Sequence, residues 1–327
     1  MKVSALVVGV VAVASIGIAA VSGPHGAPPA NRATVSALST SRSVTLVPLV
    51  SPRDLLPFVT PAFAGEGVFR PSGRPVQGHS AIFTTTIRPP DNPGTVAGVA
   101  WIDPRLLRAR LYSGSLSPGG FMWRYTAPIS RLAAQTLVAA FNGGFLLKDS
   151  RGGYLSEGRL YSPLANGAAS LVIYKDGTIT VGQWGRDVAM SPRVAAVRQN
   201  LTLIVDRGAP VAGLYPNDVA TWGRALNNVV DTPRSALGVR ADGSLVYVEG
   251  EMNVVDLARI LIRAGAQRAM VLDMNPLWTI FATYRPATAT GSAAPSNGKD
   301  LTPTMVQTPA RFFDIKYARD FIALSAR

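Results

Sequence analysis

Hydrophobic and polar positions change rhythm several times along the chain. After Met1-Lys2, an unbroken uncharged apolar run extends from Val3 to Val21 and stops at Ser22-Gly23-Pro24. This is an export signal over residues 1–22. It is longer than an ordinary signal core and just adequate for a membrane span of ~20 residues. Ala27-Pro28-Pro29-Ala30 carries prolines in the wrong places for an Ala-x-Ala cleavage site. A removed signal and a retained single N-terminal anchor both stay open; either puts the folded part outside the cytoplasm, secreted or anchored. Residues 23–75 are rich in Pro, Ala, Ser and Thr with little periodicity and read as a linker.

From residue 76 onward, β-branched and apolar runs over 80–87, 95–102 and 106–112 predict strands, each bounded by Pro, Gly or Asp. Ser130 is placed to cap a short helical turn before the apolar run 136–141, which ends in Asn142-Gly143-Gly144-Phe145. Two hairpins follow: 171–174 with 179–181 around Asp176-Gly177, and 236–240 with 245–248 around Asp242-Gly243. Asn253 reads as the cap of a helix whose apolar stripe is Leu257, Ile260, Leu261 and Ala264, ended by Gly265. A short buried strand over 269–272 then delivers Asp273. Residues 287–300 are low in complexity and read as a surface loop, and 312–324 return to the core. The inventory predicts an α+β fold: one strand-rich domain over 76–327, with a mixed β-sheet and few packed helices. It lacks the alternating rhythm of a doubly wound sheet.

Composition narrows the chemistry. The 327 residues contain no cysteine and only His25 and His79, which excludes disulfides, thiolate metal sites and a cysteine nucleophile and nearly excludes histidine chemistry. A net charge of +13 comes mostly from arginine, since five of the 32 basic residues are lysines. Arginine suits bidentate grip on phosphate or carboxylate. The arginines are spread along the chain without a nucleic-acid-binding motif, so the expected partner is an anionic envelope component and not nucleic acid.

Acidic residues beside Gly, Arg or Asn at strand ends are the suggestive ones: Glu157, Asp187, Asp206, Asp231, Glu249 and Asp273. Paired carboxylates can hydrolyse glycosides without histidine. Asp273 ends an apolar strand in Val271-Leu272-Asp273-Met274-Asn275-Pro276, where burial without a partner would be costly. It is either a functional carboxylate or metal ligand, or a loop cap acting with Asn275. Arg234 is either a phosphate clamp or a surface arginine, and Asn142-Gly143-Gly144 either admits a ligand close to the backbone or is a turn.

Together these segments carry a resemblance. Phe141-Asn142-Gly143-Gly144-Phe145, then Thr232-Pro233-Arg234-Ser235-Ala236-Leu237-Gly238 with the Asp242-Gly243 hairpin and Val248-Glu249-Gly250, then a helix and Leu272-Asp273, resemble the phosphodiester glycosidase family. Trp184-Gly185-Arg186-Asp187, Arg198-Gln199-Asn200 and Asn275-Pro276 are similar to an actinobacterial branch of it. The resemblance implies hydrolysis of a glycosyl-1-phosphodiester at the sugar carbon. It implies Arg234 as the phosphate clamp, Asn142 with Gly143 and Gly144 as substrate binders, and Asp273 as acid/base, nucleophile or metal ligand. Glu249 is the second carboxylate and Asp206 the reserve.

Where the family continues after this aspartate as Gly-Gly-Gly-Ser, this chain has Met274-Asn275-Pro276-Leu277-Trp278. A bulkier loop narrows the pocket or changes the substrate, and Asn275 and Trp278 become candidates for a sugar platform. No cofactor is required by the sequence. Calcium or magnesium is compatible with the oxygens of Asp273 and Asn275. The rival expectation is an envelope glycan-binding module of the same fold without turnover.

Overall fold

The computed structural model describes residues 46–327 except 217 and 224–228. The expected leader over 1–22 and the linker up to 45 lie outside the described residues. Strands follow in the order β1 Arg70–Ser72, β2 Ile82–Ile87, β3 Ala97–Ile102, β4 Leu107–Tyr112, β5 Leu137–Asn142, β6 Tyr154–Ser156, β7 Arg159–Ser162, β8 Ala169–Tyr174 and β9 Ile179–Gln183. Then come β10 Val194–Gln199, β11 Leu203–Asp206, β12 Ala209–Pro210, β13 Thr232–Arg240, β14 Leu245–Met252, β15 Ala266–Val271, β16 Phe281–Tyr284, β17 Gly298–Asp300 and β18 Phe321–Ala326. Of the four α-helices among the described residues, α1 Arg131–Ala134, α2 Leu147–Ser150 and α3 Val219–Trp222 are single turns, while α4 Val254–Arg263 is long enough to pack. No helix among the described residues is long and apolar enough to cross a membrane.

Three sheets form: β1-β2-β3-β14-β13-β15-β11-β12, β7-β6-β10-β8-β9 and β17-β16-β5-β18-β4. Every ladder is antiparallel, which corrects the expected mixed sheet. The physical reason is the connections: parallel neighbours need crossovers of a dozen or more residues, whereas β8–β9 and β13–β14 are joined by tight turns. In those turns Asp176 accepts from Thr178 N and Oγ1, and Asp242 from Ser244 N and Oγ. Gly177 and Gly243 supply φ of 83° and 85°. The strand expected over 269–272 begins earlier, directly after Gly265, and the expected loop over 287–300 ends in the edge strand β17.

Strand alternation explains the layers. Leu237, Val239, Leu245, Tyr247 and Met270 point from the eight-stranded sheet into a central core, which Leu171, Ile173 and Val181 of the second sheet and Leu111, Phe141 and Phe281 of the third also enter. The neighbouring positions Ala236, Val246, Val248 and Val271 face the other way and meet Leu257, Ile260 and Leu261 of α4. Asn253 caps α4 through the backbone N–H groups of Val255 and Asp256 at 2.9 Å each.

Residues 46–69, read in the sequence as part of the linker, belong to the compact unit that starts at Thr45. Leu49 N donates to Asp103 Oδ2 at 2.6 Å, Leu55 N to Gly67 O at 2.9 Å, and Arg263 to Leu56 O at 2.8 Å. Single bonds of this kind leave no hydrophobic period to read. Because Leu257 is fully buried while Leu132 on α1 is 76% exposed, Leu257→Ala is expected to cost about 2–5 kcal/mol in urea unfolding, and Leu132→Ala less than about 0.5 kcal/mol.

Candidate functional site

At one end of the eight-stranded sheet the central core turns polar. The inward positions of β13 and β14 run from Leu237 and Tyr247 to Ser235 and Glu249, which are direct cross-strand partners. The end of β5 brings Asn142 against them. Its Nδ2 donates to Gly143 O at 2.8 Å and to Ser235 Oγ at 3.0 Å, while its Oδ1 accepts from Tyr247 OH at 2.7 Å and Ile280 N at 3.2 Å. Asn142 is 1% exposed and fully engaged with the protein. It therefore fixes the Gly143-Gly144 loop and does not reach outward.

Asp273 follows β15. Its N–H donates to the same Ser235 Oγ at 3.2 Å, so one hydroxyl joins Asn142 to Asp273. Its Oδ1 accepts from Met274 N at 2.8 Å and Asn275 N at 3.0 Å, and its Oδ2 from Arg319 at 3.0 Å. Burial pushes the carboxyl up to about 6, against the opposing pull of Arg319 and the two amides. The carboxyl is thus both a loop cap and a perturbed group, joining the two readings that its sequence left open. With Arg319 on one oxygen and two amides on the other, this donor set does not fit a cation. Asn275 Oδ1 is also engaged, by Leu277 N at 2.9 Å. No group of three or more His, Asp or Glu gathers as a metal site among the described residues.

Two ion pairs clamp the glycine loop. Arg319 also donates to Gly144 O at 2.8 Å. Its neighbour Asp320 accepts from Arg198 Nε at 2.8 Å in a pair with side-chain exposures of 1% and 2%. Arg198 further donates to Gln199 O and to Phe145 O. A Cβ on Gly143 would lie 2.0 Å from Asp320 Oδ2, and one on Gly144 would lie 2.9 Å from the Arg198 guanidinium carbon. Close approach by these charged groups is what the Gly-Gly pair provides. Arg319 and Asp320 belong to none of the motifs in the sequence, and Arg198 belongs only to the branch feature Arg198-Gln199-Asn200. The usable signal was charge inside otherwise apolar strand ends, the same one that singled out Asp273.

Arg234, 3% exposed, lies on the opposite face of β13 from Ser235, at the same end of the sheet. Nε donates to Met252 O at 2.9 Å and NH2 to Val230 O at 3.2 Å, while NH1 lies 4.0 Å from Met274 Sδ. No carboxylate among the described residues pairs with it. Burial lowers its pKa to about 10, and Asp231 nearby opposes the shift. Met274 thus spans from Arg234 to Asp273. Trp278 is partly buried, with Arg319 and Arg311 at 5.2 and 5.3 Å from its ring centroid and Tyr317 edge-on at 5.7 Å, so its neighbours are protein groups.

Asp206 is not brought to this cluster. It pairs with Arg186 at 2.8 Å and is in register with Arg268 on β15, five residues and about 16 Å from Asp273 at strand spacing.

Glu249 is completely buried, and burial pushes its pKa up to about 8, with Asp300 adding to it and Tyr247 opposing. Its Oε2 lies 3.1 Å from Tyr247 OH. The tyrosine has one proton, and Asn142 Oδ1, already receiving Ile280 N–H, is its nearer acceptor at 2.7 Å. When protonated, Glu249 donates to the tyrosine oxygen; when ionised, it competes with Asn142 Oδ1 for the tyrosine proton.

A model of the phosphodiester glycosidase family matches residues 135–273, which include Asn142, Arg198, Arg234, Glu249 and Asp273. No curated protein matches the chain. Among solved structures, the chain is similar to the zebrafish N-acetylglucosamine-1-phosphodiester alpha-N-acetylglucosaminidase catalytic domain auto-inhibited by its pro-peptide. Identity there is 16%, with 79% of this chain and 88% of that one covered, at a TM-score of 0.46. A hypothetical protein from Synechocystis is similar at 13% identity over 79% and 64% of the two chains, with a TM-score of 0.44. The resemblance to phosphodiester glycosidases read from the motifs is thus met by the family model.

The hydrogen bond between Glu249 and Tyr247 fixes an outcome. Glu249→Gln keeps a donor toward Tyr247, so it is expected to fold and retain function, whereas Glu249→Ala removes that donor, opens a cavity beside Tyr247 and lowers the melting temperature. Since the folded value lies above the usual carboxylate value of 4.5, the stabilisation from Glu249 is full below about 4.5 and lost as pH rises through about 8. Melting curves from pH 5 to 9 should show a shallower decline in Glu249→Gln than in the wild type.

Proposed function

We propose that the chain is an exported hydrolase of glycosyl-1-phosphodiester bonds in cell-envelope glycans or glycolipids, secreted or held by its N-terminal apolar segment. The observation that carries this reading is Arg234: a buried guanidinium that, among the described residues, bonds carbonyl oxygens and a thioether and no carboxylate, at the sheet end where Asp273 is tuned to about 6. Asp231 acts on it only from a distance, and a phosphodiester supplies a bidentate counter-charge in direct contact. The family match supports the same bond class.

In the proposed reaction, water adds to the anomeric carbon and the C1–O bond breaks with its electron pair passing to the phosphate oxygen. Free sugar and a phosphomonoester result. Arg234 neutralises the departing phosphate. Asp273, half-protonated near pH 6, gives or takes the proton. Arg319 holds the ionised form of Asp273, and Asn142, Arg198 and Asp320 keep the glycine loop in place. Glu249 supports Asn142 through Tyr247 from below. Asp206, half-buried at the end of β11 and paired with Arg186, stands outside this scheme.

A second reading is favoured by Met274, whose side chain is 4% exposed and packs onto Arg234 where the family carries glycine. With that space filled, the fold would bind envelope glycan phosphate without turning it over.

The full chain incubated with a panel of sugar-1-phosphodiesters decides between the readings. Release of sugar is expected, falling as pH rises through about 6 when Asp273 loses its proton. Asp273→Asn should lower kcat by about 10²–10⁴-fold. Arg234→Lys, which keeps the charge and loses the fork, should lower kcat/KM at least about tenfold. Sugar release that survives both substitutions would overturn the site. Binding without release, recovered as release in Met274→Gly, would establish the second reading for the natural chain.

A further inference from the structure

Away from this site, a cleft of about 880 Å³ opens where the third sheet meets the hairpin of the second. Asn142, Arg234 and Asp273 do not line it. Its floor is built by β4, the edge strand of its sheet, whose Ala109 N donates to Gly177 O at 2.8 Å in the β8–β9 turn. Arg108 and Arg110 alternate with buried neighbours along β4 and both project outward, about 7 Å apart at strand spacing. Arg124 and Lys175 complete the lining cations.

The cleft is net cationic, with four lining cations against one carboxylate. Its one lining carboxylate, Glu157, accepts from Arg124 N at 2.9 Å and Tyr125 N at 2.8 Å, so it is committed to holding the backbone of the opposite wall. None of the four cations forms an ion pair with a carboxylate among the described residues. Asp176, beyond the rim, is bonded by Thr178 and already attracted by Arg327 and Arg193. The Arg110 guanidinium lies 3.9 Å over the Tyr125 ring and also interacts with the Tyr112 hydroxyl, and these two contacts hold it against the wall. Ser130, Gln135 and Thr136 add neutral hydrogen-bonding groups.

We infer that this cleft is a second binding site, for a polyanionic chain of phosphodiester-linked polyol or sugar units, with Arg108 and Arg110 each taking one of two successive phosphates. The choice of phosphodiester over other polyanions rests on the hydrolase reading above; the charge and shape of the cleft do not. Charge complementarity recruits such a chain, and the two guanidiniums favour a repeating anion over a single one. A site of this kind holds the polymer while a bond elsewhere along it is cut.

The test is titration of the full chain at about 0.15 M salt with a synthetic glycerol-phosphate octamer, glycerol phosphate alone, and a single-stranded DNA of equal charge. The octamer is expected to bind at least about tenfold more tightly than the monomer and the DNA. Arg108→Ser/Arg110→Ser should weaken the octamer at least about tenfold, and Lys175→Glu should weaken it as well. Both variants should keep the melting temperature of the wild type and its rate on a small sugar-1-phosphodiester. No octamer binding, octamer binding indifferent to these substitutions, or equally tight DNA binding would overturn the inference, the last by making the cleft a nucleic-acid groove. Octamer binding through Arg108 and Arg110 in a chain that cleaves no phosphodiester would leave this site standing and remove the hydrolase reading.

Discussion

The arrangement of the candidate site depends on two adjacent residues at the start of β18. Arg319 turns to Asp273 and Gly144 O, and Asp320 turns to Arg198, so a single dipeptide ties β5, β10 and the end of β15 together. Buried pairs of this kind recover their desolvation cost only with good geometry and further hydrogen bonds. Here the carbonyl groups of Gly144, Phe145 and Gln199 supply those bonds. The stability of the pairs and the shape of the glycine loop are thus one property: remove a charge, and the loop loses the partner that shapes it.

The same principle separates the roles of the polar side chains. Asn142, which its motif marks as a ligand binder, uses its amide entirely within the protein, whereas Arg234 has donors satisfied only by neutral groups. Asp273 stands between these conditions, neutralised by Arg319 yet raised by burial. Burial raises Glu249 as well, and it sits beneath Asn142, reaching it through Tyr247. Two carboxyls end up with different tasks because one meets a guanidinium and the other a tyrosine hydroxyl.

Local chemistry was legible in the sequence. Asp176-Gly177 and Asp242-Gly243 announce their hairpins, and Asn253 with the Leu257, Ile260 and Leu261 stripe announces α4, because turn and helix signals lie within a few residues of one another. Asn142, Arg234 and Asp273 stood out through motif order. What remained hidden depends on partners far apart in the chain. Arg198 looks like any strand arginine until Asp320 arrives beside it. The packing of three sheets on one core, and the holding of residues 46–69 by single bonds and by the irregularly spaced Leu49, Leu55, Phe58 and Phe69, leave no periodic trace. The antiparallel pairing of every ladder was hidden for the same reason, since strand runs alone carry no direction.

Strand β18 lies in the middle of its sheet, between β5 and β4, and not at an edge. A chain made from its N-terminal end presents β4 and β5 long before β18. Until then those two strands have a gap between them, and Arg198, Gly144 and Asp273 lack their counterparts. The polar end of the core therefore closes only when the last strand joins its sheet, so the candidate site is complete no earlier than the fold itself.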